Sequence, residues 1–160
     1  STSTQTRKSV PAAAFADACR SAGVEIEYTP DIRRALWEKF VFLASFSGIT
    51  SAARSPIGVV RSDPDLRALL EAAMREVWSV GVARGVALPD DFVAKQLAFA
   101  DGLPAAMRSS MLNDLESGYR LEVPWLSGAV ERMERESGLA APGHATLHAI
   151  LKPFAGGRDA

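Results

Sequence analysis

At 160 residues, 48% hydrophobic and 23% charged, the chain has the length for one sizeable core and the balance of an ordinary globular domain. Its formal net charge of -1 argues against a nucleic-acid footprint or an acidic tail, and a single cysteine, Cys19, excludes an internal disulfide and a cysteine-built metal site. No apolar run reaches the ~18 residues of a membrane span, so neither nucleic acid nor membrane is an expected partner, and the composition fits the cytoplasm.

Ser1 to Lys8 is polar and lacks the apolar core of a signal peptide, so it reads as a loop or the edge of an excised piece. Val10 to Ala22 is alanine-rich and ends at Gly23, a residue suited to the left-handed turn that closes a helix. Val24, Ile26 and Tyr28 then alternate with Glu25, Glu27 and Thr29, the period-two pattern of a half-buried strand, which Pro30 ends. One strand cannot form a sheet, so its partners are expected in a missing upstream region or in another copy. A plain extended linker is the alternative. Helices are predicted at roughly 31–53, 64–85, 90–101, 104–118, 124–137 and 145–152, with Asp63 before Pro64 as a start signal and Gly118 and Gly138 as stops. The tail, 155–160, carries two glycines and is expected to fray. No GxGxxG follows a strand, so this chain alone is not expected to hold a dinucleotide in the usual way.

Leu36 to Phe46 is apolar nearly all round, which predicts a buried helix. Lys39 is the last charge there before Arg54, and burial would lower its pKa toward that of a usable proton donor. On spacing alone, a lysine snorkelling from the helix edge is the simpler reading. A second stretch, Arg108-Ser109-Ser110-Met111-Leu112-Asn113-Asp114, leads through Gly118 to Leu121-Glu122-Val123-Pro124. Pro124 suits a first helical position, which puts Glu122 just before a helix N-terminus, where a carboxylate is favoured. Ordinary capping and turn roles for Glu122 and Ser110 remain open. His144 and His148 lie four apart, a metal-pair spacing, but no third ligand is evident and a surface helix is the better reading. Trp37, Trp78 and Trp125 fit core positions.

Together these segments resemble the ketopantoate reductase family. Its Leu-Trp-x-Lys-Leu helix, Leu-Thr-Ala segment and Pro-x-Gly appear in order as Leu36-Trp37-Glu38-Lys39-Phe40, Ile49-Thr50-Ser51 and Pro56-Ile57-Gly58. Its Ser-Ser-Met-Leu-x-Asp and Thr-Glu-Ile-Asp segments appear as Ser109 to Asp114 and Leu121-Glu122-Val123-Pro124, with the family's gap between serine and glutamate. Glu76-Val77, Gly85 and Pro89 match its middle helices, and the resemblance runs from Val10 to Phe154.

The resemblance implies an all-α, multi-helix C-terminal domain of the 6-phosphogluconate dehydrogenase C-terminal-like type, with one N-terminal strand left from a missing Rossmann domain. Residues 1–30 would be the connector, 31–154 the helical substrate domain and 155–160 the tail. It further implies reduction of a 2-oxo acid to a 2-hydroxy acid, with NADP bound mainly by the missing domain, so that this piece alone is inactive. Lys39 stands where the family has its catalytic lysine, Glu122 where a glutamate binds the substrate hydroxyl, and Ser110 where a serine hydrogen-bonds the substrate. Ser47 takes the place of a substrate-side asparagine two turns after the lysine. The expected partners are a small 2-oxo acid and the Rossmann domain, and a homodimer is allowed. Leu43, Ile57 and Pro124 depart from the family's asparagines and aspartate, which points to a more apolar substrate than ketopantoate. The competing reading is a helical dimerisation or binding module with no catalytic role.

Overall fold

The computed structural model describes residues 10–158 apart from residue 27. Among them are eight α-helices: α1 (Val10–Ser21), α2 (Ile32–Ala53), α3 (Ile57–Ser62), α4 (Pro64–Ala83), α5 (Phe92–Gly102), α6 (Ser110–Ser117), α7 (Ser127–Ser137) and α8 (Pro142–Leu151), followed by a 3₁₀ turn over Lys152–Phe154. The all-α expectation holds; the strand expected over 24–29 does not form. Residues 24–26, 28 and 29 lack regular structure, and residue 27 lies outside the described residues. A strand needs a neighbour for its backbone groups, and no strand exists among the described residues to provide one. The Val24 N–H instead bonds to the Cys19 carbonyl and closes α1.

Helix α2 is the hub of the bundle, packing on α4, α8, α6, α3 and α7. Its C-terminal half admits so many neighbours because its side chains are small. Ala44, Ser45, Ser47, Gly48 and Ser51 are all buried there. A Cβ on Gly48 would lie 3.0 Å from Leu147 Cδ1 of α8 and 3.1 Å from Ser127 Oγ of α7. Ser45 Oγ bonds to its own helix, donating to the Val41 carbonyl at 2.9 Å, whereas Ser51 Oγ has no partner among the described residues. The core between α2, α4 and the other helices is built from Val41, Phe46, Ile49, Leu70, Met74, Val77, Leu97, Met111, Leu147 and Leu151.

Helix α4 starts as Asp63-Pro64 demands, the Asp63 carboxylate accepting from the N–H groups of Asp65 and Leu66. At its other end α2 approaches very closely. A Cβ on Gly81 would run into Trp37 Nε1 and come within 2.7 Å of Leu88 Cδ1. Trp37 Nε1 donates to the Val77 carbonyl one turn earlier, at 3.1 Å. Gly81→Ala therefore forces overpacking and displaces that hydrogen bond, at a combined cost of about 2–4 kcal/mol. A thermal melt should show a clear drop; an alanine variant melting with the wild type would mean that α2 and α4 can separate freely.

Two connections differ from the periodicity. The helix predicted from 104 begins only at Ser110, because the preceding backbone is engaged elsewhere. The carbonyls of Ala105 and Met107 accept from the N–H groups of Gly58 and Ile57, each at 2.9 Å. Arg61 of α3 gathers the carbonyls of Ala100, Asp101 and Leu103 at the end of α5. The tail expected to fray is anchored as far as Arg158: Leu121 N–H bonds to the Ala155 carbonyl and Arg158 N–H to the Gly118 carbonyl, both at 3.0 Å. Residues 159 and 160 lie outside the described residues.

Candidate active site

Lys39 is exposed, in line with the simpler reading of a lysine at the helix edge and not with the burial that the apolar run suggested. The apolar residues of α2's first half divide between two faces. Trp37 and Phe40 turn inward and meet edge to face, with ring centroids 6.0 Å apart. Ile32, Leu36 and Leu43 face outward, with Lys39 among them at helical spacing. An ammonium thus stands on an open, mostly apolar stripe, and its stem needs no burial.

Further along α2, Thr50 binds the start of α6. Leu112 N–H donates to Ser109 Oγ at 3.1 Å, the Ser109 and Thr50 hydroxyls are 2.8 Å apart, and Thr50 Oγ1 donates to the Phe46 carbonyl at 2.7 Å. Read in that order, each hydroxyl gives one proton and accepts one, so the buried chain is fully satisfied. Sequence reasoning singled out Ser110 and missed Ser109. The two serines divide the work: Ser109 is the buried N-cap that ties α6 to α2, and Ser110, the first helical residue, is exposed. Ser47, assigned to the substrate, is corrected. It is only 2% exposed and belongs to the packing face of α2, where small side chains are needed.

Glu122 follows α6, which Gly118 ends with φ 76°. Helix α7 begins at Ser127, three residues later than predicted, so Glu122 does not directly precede it. The Glu122 carbonyl accepts from the N–H groups of Trp125 and Leu126 and starts a turn that feeds into α7. The exposed Glu122 side chain lines a cleft of about 450 Å³ with Arg120, Pro124, Trp125, Ala155 and Gly156. Trp125 is not core: it is 73% exposed, because this turn lifts it off the bundle. Trp37 and Trp78 do pack against the core. Lys39 and Ser110 do not line the Glu122 cleft.

The histidine pair is also corrected. His144 is fully buried, with Nε2 3.2 Å from the Ala73 carbonyl, and burial pushes its pKa down to about 4. His148 Nδ1 lies 2.7 Å from Glu131, whose carboxyl it holds below the usual range. No group of three metal-ligating side chains occurs among the described residues. Beside them is a cluster no motif announced. Glu76 of α4 accepts from Gly143 N–H and His144 N–H, each at 2.8 Å, capping α8. Glu134 is 2% exposed, both of its oxygens lack a partner among the described residues, and burial beside Glu76 and Glu131 pushes it up to about 7.

The exposed polar groups thus offer a proton donor at Lys39, a hydroxyl at Ser110 and a carboxylate at Glu122. Each stands on α2 or on a segment leading to a helix packed on it. No helix among the described residues is long and apolar enough to cross a membrane.

Comparison with known proteins identifies the family of the chain. The family model described as ketopantoate reductase PanE/ApbA C terminal matches residues 31–155. A 2-dehydropantoate 2-reductase of Halobacterium salinarum is 32% identical over 142 residues, covering 88% of this chain and 46% of that protein. The crystal structure of a PanE/ApbA family ketopantoate reductase from Ralstonia eutropha superposes with a TM-score of 0.82 at 29% identity, covering 89% of this chain and 48% of that one. A dimeric ketopantoate reductase from Staphylococcus aureus shares the fold with a TM-score of 0.82 at 23% identity, over 91% of this chain and 51% of its own. The chain spans about half the length of the relatives it matches.

Proposed function

The chain belongs to the ketopantoate reductase C-terminal domain family, and on that premise we propose that it is the helical, substrate-side domain of an NADPH-dependent reductase of 2-oxo acids. The observation that carries the proposal is that Lys39 on α2, Ser110 on α6 and Glu122 in the turn before α7, which the resemblance sets at the family's functional positions, are all solvent-exposed and so open to a substrate.

In the proposed reaction, carbon 2 of the acid gains a hydride and its oxygen gains a proton. The nicotinamide nucleotide, when bound, supplies the hydride. Lys39 Nζ stabilises the negative charge growing on that oxygen and donates the proton. Ser110 donates a hydrogen bond to the substrate, and Glu122 accepts one from its hydroxyl and holds it in line. The dinucleotide does not fit this chain by itself. The chain has no GxGxxG, and its described residues provide no strand-turn-helix to approach a pyrophosphate. We assign it to the length of the full-length relatives that lies outside the match, with residues 1–30 as the connector and the complete enzyme a cytoplasmic homodimer. Calorimetry should detect no micromolar NADPH binding by the 160-residue chain, and the chain alone should not turn over. Tight binding would contradict the assignment.

The substrate reading needs one revision. Ile57 is buried in the core, so its difference from the family's asparagine says nothing about the ligand. Leu43, on the open stripe one turn after Lys39, retains the argument. Losing one polar partner there would cost ketopantoate about 1.5–3 kcal/mol, so a more apolar 2-oxo acid should have the higher kcat/KM in the full-length enzyme. A panel with ketopantoate as best substrate would reject that specificity; a panel with no substrate would reject the reductase itself. The separation of Lys39 and Ser110 from the Glu122 cleft is the observation favouring the alternative, a binding module without catalysis.

A further inference from the structure

The end of α2 opposite to Lys39 carries a second concentration of chemistry. Arg54 caps the helix with φ 49°, the one non-glycine residue with positive φ among the described residues. An L-residue resists that conformation, which directs the Arg54 Cα–Cβ bond away from the end of the helix. That guanidinium lies over the Phe154 ring, 5.7 Å from its centroid. Facing it across a cleft of about 270 Å³ are Arg158, Tyr119, Gly118 and Leu115.

Arg158 is positioned as carefully. Its side chain lies across Gly118, where a Cβ would meet Cγ, Cδ and Nε at 2.6 Å, and its Nη2 donates to the Glu116 carbonyl at 3.1 Å. The Glu116 carboxylate also borders the cleft, but Arg108 holds it in an ion pair. Neither Arg54 nor Arg158 pairs with a carboxylate among the described residues. Two arginines therefore line one cleft beside Phe154 and Tyr119, and among the described residues the only carboxylate there, Glu116, is paired with Arg108.

We propose that this cleft is a binding site for a small aromatic anion, a carboxylate or phosphate held between Arg54 and Arg158 with its ring against Phe154 and Tyr119. A guanidinium fork matches the planar oxygens of either head group. The volume lies just under the roughly 300–1,000 Å³ of pockets for drug-sized ligands, which limits the occupant to something the size of a single substituted ring. The site stands about 22 Å along the helix axis from Lys39, fifteen residues away at ~1.5 Å each. It does not depend on the reductase reading.

The test is calorimetric titration of the 160-residue chain with benzoate, phenyl phosphate and inorganic phosphate, beside the variants Arg54→Asn and Arg158→Gln. Asparagine tolerates the left-handed backbone, so Arg54→Asn removes the charge and leaves the cap. Arg158 lies beyond the last helix, so Arg158→Gln carries the test even if the first variant melts early. The expected result is saturable binding of both aromatic anions, tighter than that of inorganic phosphate, and weakened roughly tenfold or more by either variant. No saturable binding at millimolar concentration would overturn the site, as would binding that both variants leave unchanged. Inorganic phosphate binding as tightly as phenyl phosphate would overturn the aromatic class.

Discussion

Replacing Lys39 by alanine in the full-length protein is expected to lower kcat by about two to four orders of magnitude, the usual contribution of a positioned proton donor. That corresponds to roughly 3–5.5 kcal/mol of barrier. Hydride addition leaves an alkoxide at carbon 2, and without the ammonium its charge must be met by water in an imperfect geometry. The fold should not suffer. Lys39 is exposed and takes part in no ion pair among the described residues, so its loss should change stability by no more than about 0.5 kcal/mol. Glu122→Ala, also at an exposed site, should mainly raise KM, with a smaller fall in kcat where substrate alignment is lost. Steady-state kinetics beside a thermal melt separates these outcomes. Near-normal kcat from a folded Lys39→Ala protein would shift the weight to the binding-module reading.

The second large effect is on stability against pH, and it comes from the α4–α7–α8 cluster. Burial beside Glu76 and Glu131 raises Glu134 from an ordinary 4.5 to about 7, so the folded state holds its proton more tightly than the unfolded chain does. Its contribution is complete below 4.5 and is lost as pH rises through about 7. Burial lowers His144 from 6.5 to about 4, so its contribution is complete above 6.5 and is lost as pH falls toward 4. Each is on the order of 3 kcal/mol. Between pH 6.5 and 4.5 the two oppose each other, and the melting temperature of the wild type should change little there. Glu134→Gln removes one side of the balance. That variant should be more stable than the wild type above pH 7 and should lose stability steadily as pH falls below 6.5. Glu76, also raised by burial but restrained by the two α8 amides, adds to the Glu134 trend in the same direction. Parallel pH profiles for variant and wild type would show that the carboxyl is not held protonated.

What was legible in the sequence was mostly local chemistry. Asp63-Pro64 starts α4 and Gly118 and Gly138 end α6 and α7, because caps are satisfied by neighbouring residues within a turn. The Ser-Ser-Met-Leu motif drew attention to two adjacent serines, yet only the packing reveals that Ser109 is the buried cap and Ser110 the open one. Tertiary decisions stayed hidden. The residues before Ser110 have the composition of a helix, but their carbonyls serve α3 across the fold. The run around Lys39 looked buried because composition does not say how a helix with apolar residues on two faces will divide them. His144 and Trp125 exchanged their expected places for the same reason: burial depends on which face the neighbours take, and α4 covers His144 whereas nothing described covers Trp125. The alternation at 24–29 looked like a strand, but alternation sets only the faces of a strand and cannot supply its partner.

A structure of the full-length protein with oxidised nicotinamide nucleotide and a 2-oxo acid bound would decide the role of Lys39. The account predicts the 2-oxo oxygen within ~2.6–3.2 Å of Lys39 Nζ, with Ser110 and Glu122 on the same molecule. An acid bound out of reach of Lys39, or a lysine pointing away from the bound nucleotide, would contradict it.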